Sequence, residues 1–340
     1  PCAGSAAPSL AFSSGGSTCA APPPPPVSGG KATPPESPAP APAGSPPTGG
    51  WPVVAVAHGT AGLPRGAAPS MTLHANSDEI AFVYASNIRP FVDAGYAVAY
   101  TDYQGLGAPG GHSYLVGATE AANVLDSIRA IRRFSEIPVS DRVFVWGHSQ
   151  GGHAAAFAVQ HAPRYAPELT FAGAVLLAPA AELRQITDHV LDRKDRCYLP
   201  MLVMLTIASW GEAYPELNAD DVLTPLGRLL AGPTTERLRM SYGALFCWPF
   251  TTGQLFHAAA LDPWTRYLDE NTPGHEPLGV PVLIQQGDAD DIIPPATNYA
   301  FANRLRASGE DVTLETYPDR NHLDVLDPAL PAAIAWMARI

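Results

Sequence analysis

One serine lies in a glycine-framed turn between an apolar, β-branched run and an alanine-rich run. The apolar run covers residues 143–145, and the helical pattern covers residues 154–160. Between them Gly147, Ser149 and Gly151 form G-x-S-x-G, the pattern of a nucleophile elbow in its strand–turn–helix context. Strand and helix backbones crowd such a turn, so its flanking positions require glycine. The pattern predicts that Ser149 is a nucleophile, rather than the helix N-cap that a serine supplies in a plain glycine-rich turn.

A serine hydroxyl is a weak nucleophile at neutral pH and needs a base within hydrogen-bond reach, itself oriented by a carboxylate. After an elbow serine, the acid comes first along the chain and the histidine second. Three candidate acids follow the apolar run of residues 280–286: Asp288, Asp290 and Asp291. The candidate base, His322, follows the β-branched run of residues 312–317. Because the carboxyl ends of parallel strands meet at one sheet edge, we expect the acid and the base to lie near Ser149.

Serine-based acyl transfer also needs two N–H donors for the oxyanion that develops on the substrate. The residue after the nucleophile, Gln150, supplies the first from its backbone, at the start of the predicted helix. The second is expected from the loop of residues 58–62, which follows the first predicted strand. We place it on Thr60, with Gly59 and Ala61 as the alternatives.

A second glycine-rich stretch, residues 105–110, matches G-x-G-x-x-G, which is typical of dinucleotide binding when it follows a strand. Pro109 and Gly110 prolong the loop where such a site needs a helix. The nearest later acids, Glu120 and Asp126, fall in a helical pattern and not at the end of a strand. The sequence has neither H-E-x-x-H nor a Cys/His cluster, which argues against a catalytic metal. We therefore expect no cofactor.

Apolar strand patterns and amphipathic helix patterns alternate from residue 51 onward, which is typical of a parallel sheet covered on both faces. Helices are predicted over residues 77–92, 119–134, 154–160, 298–307 and 331–339. The alternation stops in residues 180–279, which are rich in large apolar side chains and are predicted to form an inserted, mainly helical cap. The apolar run of residues 198–210 is the candidate lining of its pocket. The sequence predicts an α/β core of residues 51–179 and 280–340 with this cap.

Residues 1–50 differ from the rest of the chain, since they hold 14 of its 37 prolines and few large apolar side chains. Such a segment cannot bury enough apolar area to offset its ordering entropy, and we expect a disordered or polyproline-like arm. The four cysteines permit two disulfide bonds in an oxidising compartment, Cys197 with Cys247 and Cys2 with Cys19.

A net charge of −12 and the lack of a basic cluster argue against nucleic-acid binding. The longest strongly apolar run contains Pro200 and is too short to span a bilayer. The sequence starts at Pro1 without a charged and then apolar leader, so we expect that any signal peptide has been removed. We expect a soluble protein whose partner is a small molecule or, transiently, a lipid surface.

Together these motifs resemble the secretory lipase family of the lipase A type, within the α/β-hydrolase superfamily. The matching stretches are residues 58–62, 68–70, 101–107, 147–152, 165–169, 287–290 and 321–323. The sequence departs from the family at Ala67, where many members carry cysteine. The family also has strands ahead of the first motif, whereas this chain has proline-rich sequence there.

The resemblance implies an α/β-hydrolase fold and a secreted enzyme that cleaves carboxylic esters, acylglycerols among them, with an acyl-chain site in the cap. The family's acid is the last residue of G-x-x-D, which selects Asp290, and its oxyanion positions fall on Thr60 and Gln150. The expected catalytic residues are thus Ser149, Asp290 and His322. Two alternatives stay open: an acyltransferase with the same triad, and an inactive hydrolase fold that serves as a binding protein.

Overall fold

Six strands form one sheet in the computed structural model, which describes residues 41–73, 87–192, 198–237 and 250–340. The strands are β1 (Trp51–Ala57), β2 (Ala97–Tyr100), β3 (Val139–His148), β4 (Phe171–Leu177), β5 (Val282–Gly287) and β6 (Val312–Tyr317). Their order is β2-β1-β3-β4-β5-β6, and every neighbouring pair is parallel. The predicted α/β fold with a parallel sheet is confirmed.

Helices follow the strands and fill the long connection between β4 and β5. They are α1 (Pro69–Leu73), α2 (Gly117–Ile131), α3 (Gln150–Tyr165), α4 (Leu183–Asp192), α5 (Tyr198–Ala213), α6 (Ala219–Val222), α7 (Pro225–Arg237), α8 (Thr252–Leu255), α9 (Thr265–Glu270), α10 (Pro295–Ala307) and α11 (Leu326–Met337). Two 3₁₀ helices cover Arg65–Ala67 and Ala258–Trp264, and residues 87–93 are helical.

The inner strands bury both of their faces, because successive side chains point to opposite sides of the sheet. On one face Val143 and Val145 pack with side chains of α2, α3 and α10. On the other face Phe144 and Trp146 pack with Phe91 and with α11. Covering helices on both faces explain why these strands are continuously apolar in sequence.

The connection between β4 and β5 carries helices α4 to α9, which bury a core of their own. Its fully buried side chains include Met204, Leu205 and Trp210 of α5 and Leu255 of α8. This core also takes in Ile293, from the loop after β5. The mainly helical character expected for residues 180–279 is therefore present in their described part, while the division into a core and a cap remains a prediction.

The last helix begins earlier than the sequence predicts, at Leu326 and not at Pro331. Pro328 lies in its first turn, where a backbone N–H has no helical partner, and Pro331 lies inside the helix, where it removes one hydrogen bond without ending the helix. Much of the predicted helix over residues 77–92, most of the proline-rich arm and all four cysteines lie outside the described residues. Within the described part, no helix is long and apolar enough to cross a membrane.

Candidate active site

The serine elbow has the strained backbone that its sequence pattern predicts. β3 ends directly before Ser149 and α3 begins directly after it, and Ser149 has φ 59° and ψ −119°. A Cβ at Gly147 would collide with the Gly151 carbonyl, and a Cβ at Gly151 with the Ala57 carbonyl. The Ser149 backbone N–H donates to the Leu177 carbonyl at 2.9 Å, which ties the turn to β4. The flanking glycines thus allow the turn to pack closely against the backbone of β1 and of α3 while it presents the side chain of Ser149.

The acid and the base of the predicted triad are joined by a hydrogen bond. His322 Nδ1–H donates to Asp290 Oδ2 at 2.7 Å, and both side chains are buried. Asp290 Oδ1 accepts the backbone N–H groups of Ile292 and Ile293 at 2.9 and 2.8 Å. Burial by itself raises the pKa of Asp290, but the charge of His322 and these hydrogen bonds outweigh it and leave the pKa below its usual value. Asp290 is therefore a carboxylate at neutral pH.

The two neighbouring acids make no such contact among the described residues. Asp288 is exposed and accepts the backbone N–H of Asp319 at 2.6 Å, and Asp291 is also exposed. The residues alone had left these three acids equivalent; only Asp290 is placed against His322.

We expect Asp290 to stabilise the fold in a pH-dependent way. Its pKa in the folded protein lies below the ordinary 3.8, so its contribution is fully present above that value and is lost as the pH falls through the lowered pKa. In urea titrations the free energy of unfolding of wild type should exceed that of Asp290→Asn at pH 6, and the difference should shrink below about pH 4. A difference that grows on acidification would contradict this.

A second histidine supports the base. His148 Nε2–H donates to the backbone carbonyl of His322 at 2.9 Å, and the two rings lie 4.6 Å apart between centroids. The pKa of His148 is lowered to about 3, mainly by burial of the ring and secondly by electrostatic repulsion from the nearby His322. A neutral His148 adds no positive charge beside the base, and it holds the loop after β6 against the elbow.

Ser149, Asp290 and His322 follow β3, β5 and β6, and all three lie at the carboxyl ends of strands in the parallel sheet. No hydrogen bond joins Ser149 to His322 within the described chain. Contacts between nucleophile and base commonly tighten only when substrate binds. The tertiary structure thus brings acid and base together and places the serine on their edge of the sheet.

The predicted oxyanion residues flank this edge. Thr60 follows β1 and Gln150 begins α3, and both are buried. In the part of the chain that the structure describes, neither backbone N–H has an acceptor. A buried N–H without a partner is costly unless a ligand supplies one, so both groups are available to an anionic oxygen.

An apolar cavity opens at Ser149 and extends beneath the helices that connect β4 and β5. Its empty volume is about 790 Å³, a figure that includes the part open to solvent. Five of its lining residues belong to the run predicted to line a pocket: Leu202, Val203, Thr206, Ile207 and Trp210. Tyr114 and Gln150 contribute polar groups near the serine.

The second glycine-rich stretch forms turns, and no helix begins there before Gly117. Among the described residues, no three His, Cys, Asp or Glu side chains are grouped so that they can hold a metal ion.

Two family models and several known proteins are similar to this chain. The secretory lipase model matches residues 76–223, and the prolyl oligopeptidase family model matches residues 248–330. Lipase 5 of Candida albicans is 35% identical over 298 residues, which cover 79% of this chain and 61% of that relative. A probable inactive lipase of Mycobacterium tuberculosis is 27% identical over 251 residues, 72% of this chain and 54% of that protein. The chain belongs to the secretory lipase family.

The closed state of Candida antarctica lipase A has the same fold as this family member. It superposes with a TM-score of 0.70 at 19% identity, over 87% of this chain and 72% of that chain. The predicted α/β-hydrolase fold is confirmed. The chain spans about half the length of the first two curated relatives, 54% of one and 56% of the other.

Sequence reasoning missed three buried residues beside the site: Tyr114, Glu120 and His153. Tyr114 shares a hydrogen bond of 2.8 Å with Thr60 Oγ1, and Glu120 contacts both His153 and Gln150. One sequence signal could have indicated a buried role for Glu120: it is an acidic residue near the start of a helix, on a face that is otherwise largely apolar.

Proposed function

We propose that this secretory lipase family member is a secreted serine hydrolase of carboxylic esters with hydrophobic acyl groups, such as acylglycerols. The observation that carries the proposal is the apolar cavity that opens on Ser149, beside the hydrogen-bonded pair of Asp290 and His322. An elbow serine with a histidine–carboxylate pair is the machinery of acyl transfer, and an apolar cavity favours an acyl chain.

In the proposed reaction, His322 Nε2 takes the proton of the Ser149 hydroxyl as its oxygen bonds to the ester carbonyl carbon. The carbonyl oxygen becomes an oxyanion that the backbone N–H groups of Thr60 and Gln150 stabilise. The bond to the alcohol breaks, and the alcohol leaves with the proton from His322. Water then attacks the acyl-enzyme through the same base, releases the acid and restores Ser149. Asp290 keeps the His322 proton on Nδ1 and stabilises the imidazolium.

We assign acyl binding to the cavity under residues 180–279, the proposed cap. Its lining is mostly aliphatic, from Leu183 and Ile186 of α4 and from Leu202 and Ile207 of α5. Desolvation of each methylene of an acyl chain in such a site contributes about 0.8 kcal/mol. A medium or long chain therefore gains more from this cavity than acetate does.

The test is hydrolysis by purified protein of p-nitrophenyl esters from acetate to palmitate and of a triglyceride emulsion. We expect the rate of hydrolysis to rise as the acyl chain becomes longer than acetate. Activity that peaks at acetate and collapses by octanoate would reject the hydrophobic acyl site. Product analysis with a competing alcohol separates hydrolysis from acyltransfer, because an acyltransferase would yield a new ester.

One relative is named a probable inactive lipase, which makes an inactive binding protein the second candidate. A fluorophosphonate probe separates the two, since it reacts only with an activated serine. Labelling mapped to Ser149 supports the hydrolase, and an unlabelled folded chain supports the binding protein.

Narrowing the cavity is expected to change chain-length preference. Val203 lines the cavity and is partly buried, so Val203→Trp places a large ring in the space assigned to the acyl chain. We expect kcat/KM for palmitate esters to fall about 10- to 100-fold relative to butyrate esters. Leu229→Trp is the control, because Leu229 is 70% exposed on α7 and should leave the ratio unchanged. Equal ratios in both variants would remove Val203 from the acyl site.

A further inference from the structure

A fully buried carboxylate, Glu120, lies at the start of α2 next to the proposed oxyanion donors. Its side chain has no exposed surface. Oε1 accepts the backbone N–H of Leu115 at 2.9 Å and a side-chain N–H of Gln150 at 2.6 Å. Oε2 lies 2.8 Å from His153 Nδ1. Each oxygen of this acid therefore has a partner on another segment of the chain.

The charge of Glu120 is compensated locally. His153 Nε2 lies 2.8 Å from the backbone carbonyl of Asn271, which only accepts, so Nε2 carries a proton. One further proton is held between Glu120 Oε2 and His153 Nδ1. Wherever that proton resides, the formal charges of the pair sum to zero, as a buried acid requires.

Hydrogen bonds to Glu120 and His112 fix the side chain of Gln150. Its Nε2 group has two protons, which face Glu120 Oε1 and, at 3.2 Å, His112 Nε2. His112 Nδ1–H donates to the Gln104 carbonyl at 3.0 Å, which leaves Nε2 as an acceptor. Burial lowers the pKa of His112, in keeping with this neutral form. Both side-chain N–H groups of Gln150, whose backbone N–H is a proposed oxyanion donor, thus have an acceptor.

Glu120 is also connected to Thr60, through the loop that contains Tyr114 and Leu115. Leu115 has φ 54°, a backbone conformation that branched and bulky residues rarely adopt, and Glu120 accepts its N–H. The adjacent Tyr114 shares a hydrogen bond of 2.8 Å with Thr60 Oγ1. The same loop is tied to α5, because Trp210 Nε1–H donates to the Tyr114 carbonyl at 2.9 Å. Two contacts link this loop to Gln150: Glu120 Oε1 accepts from both Leu115 and Gln150, and His112 Nε2 accepts from Gln150 at the longer distance of 3.2 Å.

We propose that Glu120 is a positioning residue. Through one carboxylate oxygen it fixes the loop that is bonded to Thr60 relative to the first turn of α3, which bears the Gln150 donor. The inference rests on the proposed ester hydrolysis. Oxyanion donors are effective because they are preorganised, and a displacement of about 1 Å costs about 100-fold in rate. What Glu120 must supply at Oε1 is a hydrogen-bond acceptor, and not its charge.

This distinction defines the test. Glu120→Gln keeps a carbonyl oxygen for Leu115 and Gln150, and its amide N–H donates to His153 Nδ1. Glu120→Leu removes every one of these contacts. We expect Glu120→Leu to lower kcat about 100- to 1,000-fold with little change in KM, and Glu120→Gln to restore kcat to within about tenfold of wild type. The affinity of a trifluoromethyl ketone, which mimics the tetrahedral intermediate, should fall in parallel with kcat.

A matched control separates positioning from stability. Glu310 also accepts two backbone N–H groups, of Leu278 at 2.9 Å and Gly279 at 3.1 Å, in a loop before β5. Glu310→Leu should lower the unfolding midpoint and leave kcat unchanged. Where Glu120→Leu does not fold, Gln150→Met carries the test, because it keeps the backbone donor and removes only the side-chain link. Gln150→Met should also lower kcat with little change in KM.

A folded Glu120→Leu protein with wild-type kcat overturns the inference, as does a Gln variant as defective as the Leu variant. Wild-type kcat in Gln150→Met overturns it as well. Absence of ester hydrolysis by the wild-type chain overturns the proposed function itself, and this failure is seen before any Glu120 variant is compared.

Discussion

Replacing Ser149 by alanine is expected to lower the turnover of p-nitrophenyl esters by about 10⁶-fold, because no other described group takes its place at the elbow. The residual rate would come from substrate binding and the oxyanion donors alone. The Ser149 backbone N–H donates to Leu177, and its carbonyl accepts from His153 at 3.1 Å and from Ala180 at 3.2 Å. Alanine keeps all three bonds, so the fold should be unaffected.

The measurement is kcat by spectrophotometric assay, with the unfolding midpoint recorded for each variant. Ser308→Ala is the matched control. Ser308 lies at the end of α10, which starts after β5 on the site edge and runs back to the opposite edge of the sheet. It should retain wild-type turnover. Near-normal activity in Ser149→Ala would remove the nucleophile assignment and, with it, the proposed mechanism.

Replacing Asp290 by asparagine is expected to lower kcat by about 10⁴-fold while the protein stays folded. The backbone N–H groups of Ile292 and Ile293 both require an acceptor at the position of Oδ1, against the single Gln286 Nε2–H that bonds Oδ2 at 3.0 Å, so the amide oxygen is held at the Oδ1 position. The amide NH₂ then faces His322 Nδ1, which must accept, and the ring proton moves to Nε2. An imidazole protonated at Nε2 cannot take the Ser149 proton.

Asp288→Asn and Asp291→Asn are the controls, because both residues are acids of the same loop and both are exposed. Their kcat should stay within about twofold of wild type, because neither carboxylate contacts His322 in the described chain and the new amide oxygen in Asp288→Asn can still accept the Asp319 N–H. If Asp288→Asn or Asp291→Asn lost activity and Asp290→Asn did not, the acid of the triad would be reassigned.

Strands and helices were largely predictable, because a parallel sheet covered on both faces demands continuous apolar strands and amphipathic helices. β6 agrees with its predicted bounds. The start of α11 differs because the helix begins ahead of two prolines, with Pro328 in its first turn and Pro331 inside it. The connection between β4 and β5 was the part whose individual helices the sequence did not predict. Its helices pack on one another and on the loop after β5, so no strand marks where one helix ends and the next begins.

The sequence by itself predicts Ser149 as the nucleophile, since the need for glycine at residues 147 and 151 is a local steric requirement. It also predicts His322 as the base, through chain order and the strand before His322. From the residues alone, however, Asp288, Asp290 and Asp291 were equivalent, and the resemblance selected among them. The structure joins Asp290 to His322 across 32 positions of the chain.

Only the tertiary structure decided the cavity at Ser149 and the role inferred for Glu120. Glu120 and Gln150 are 30 positions apart and lie on different helices, α2 and α3. Which buried polar groups become partners depends on how the two helices pack, and no spacing in the sequence encodes that contact. The elbow presents Ser149 by local geometry, whereas the alignment proposed for its oxyanion donors depends on hydrogen bonds that exist only in the folded chain.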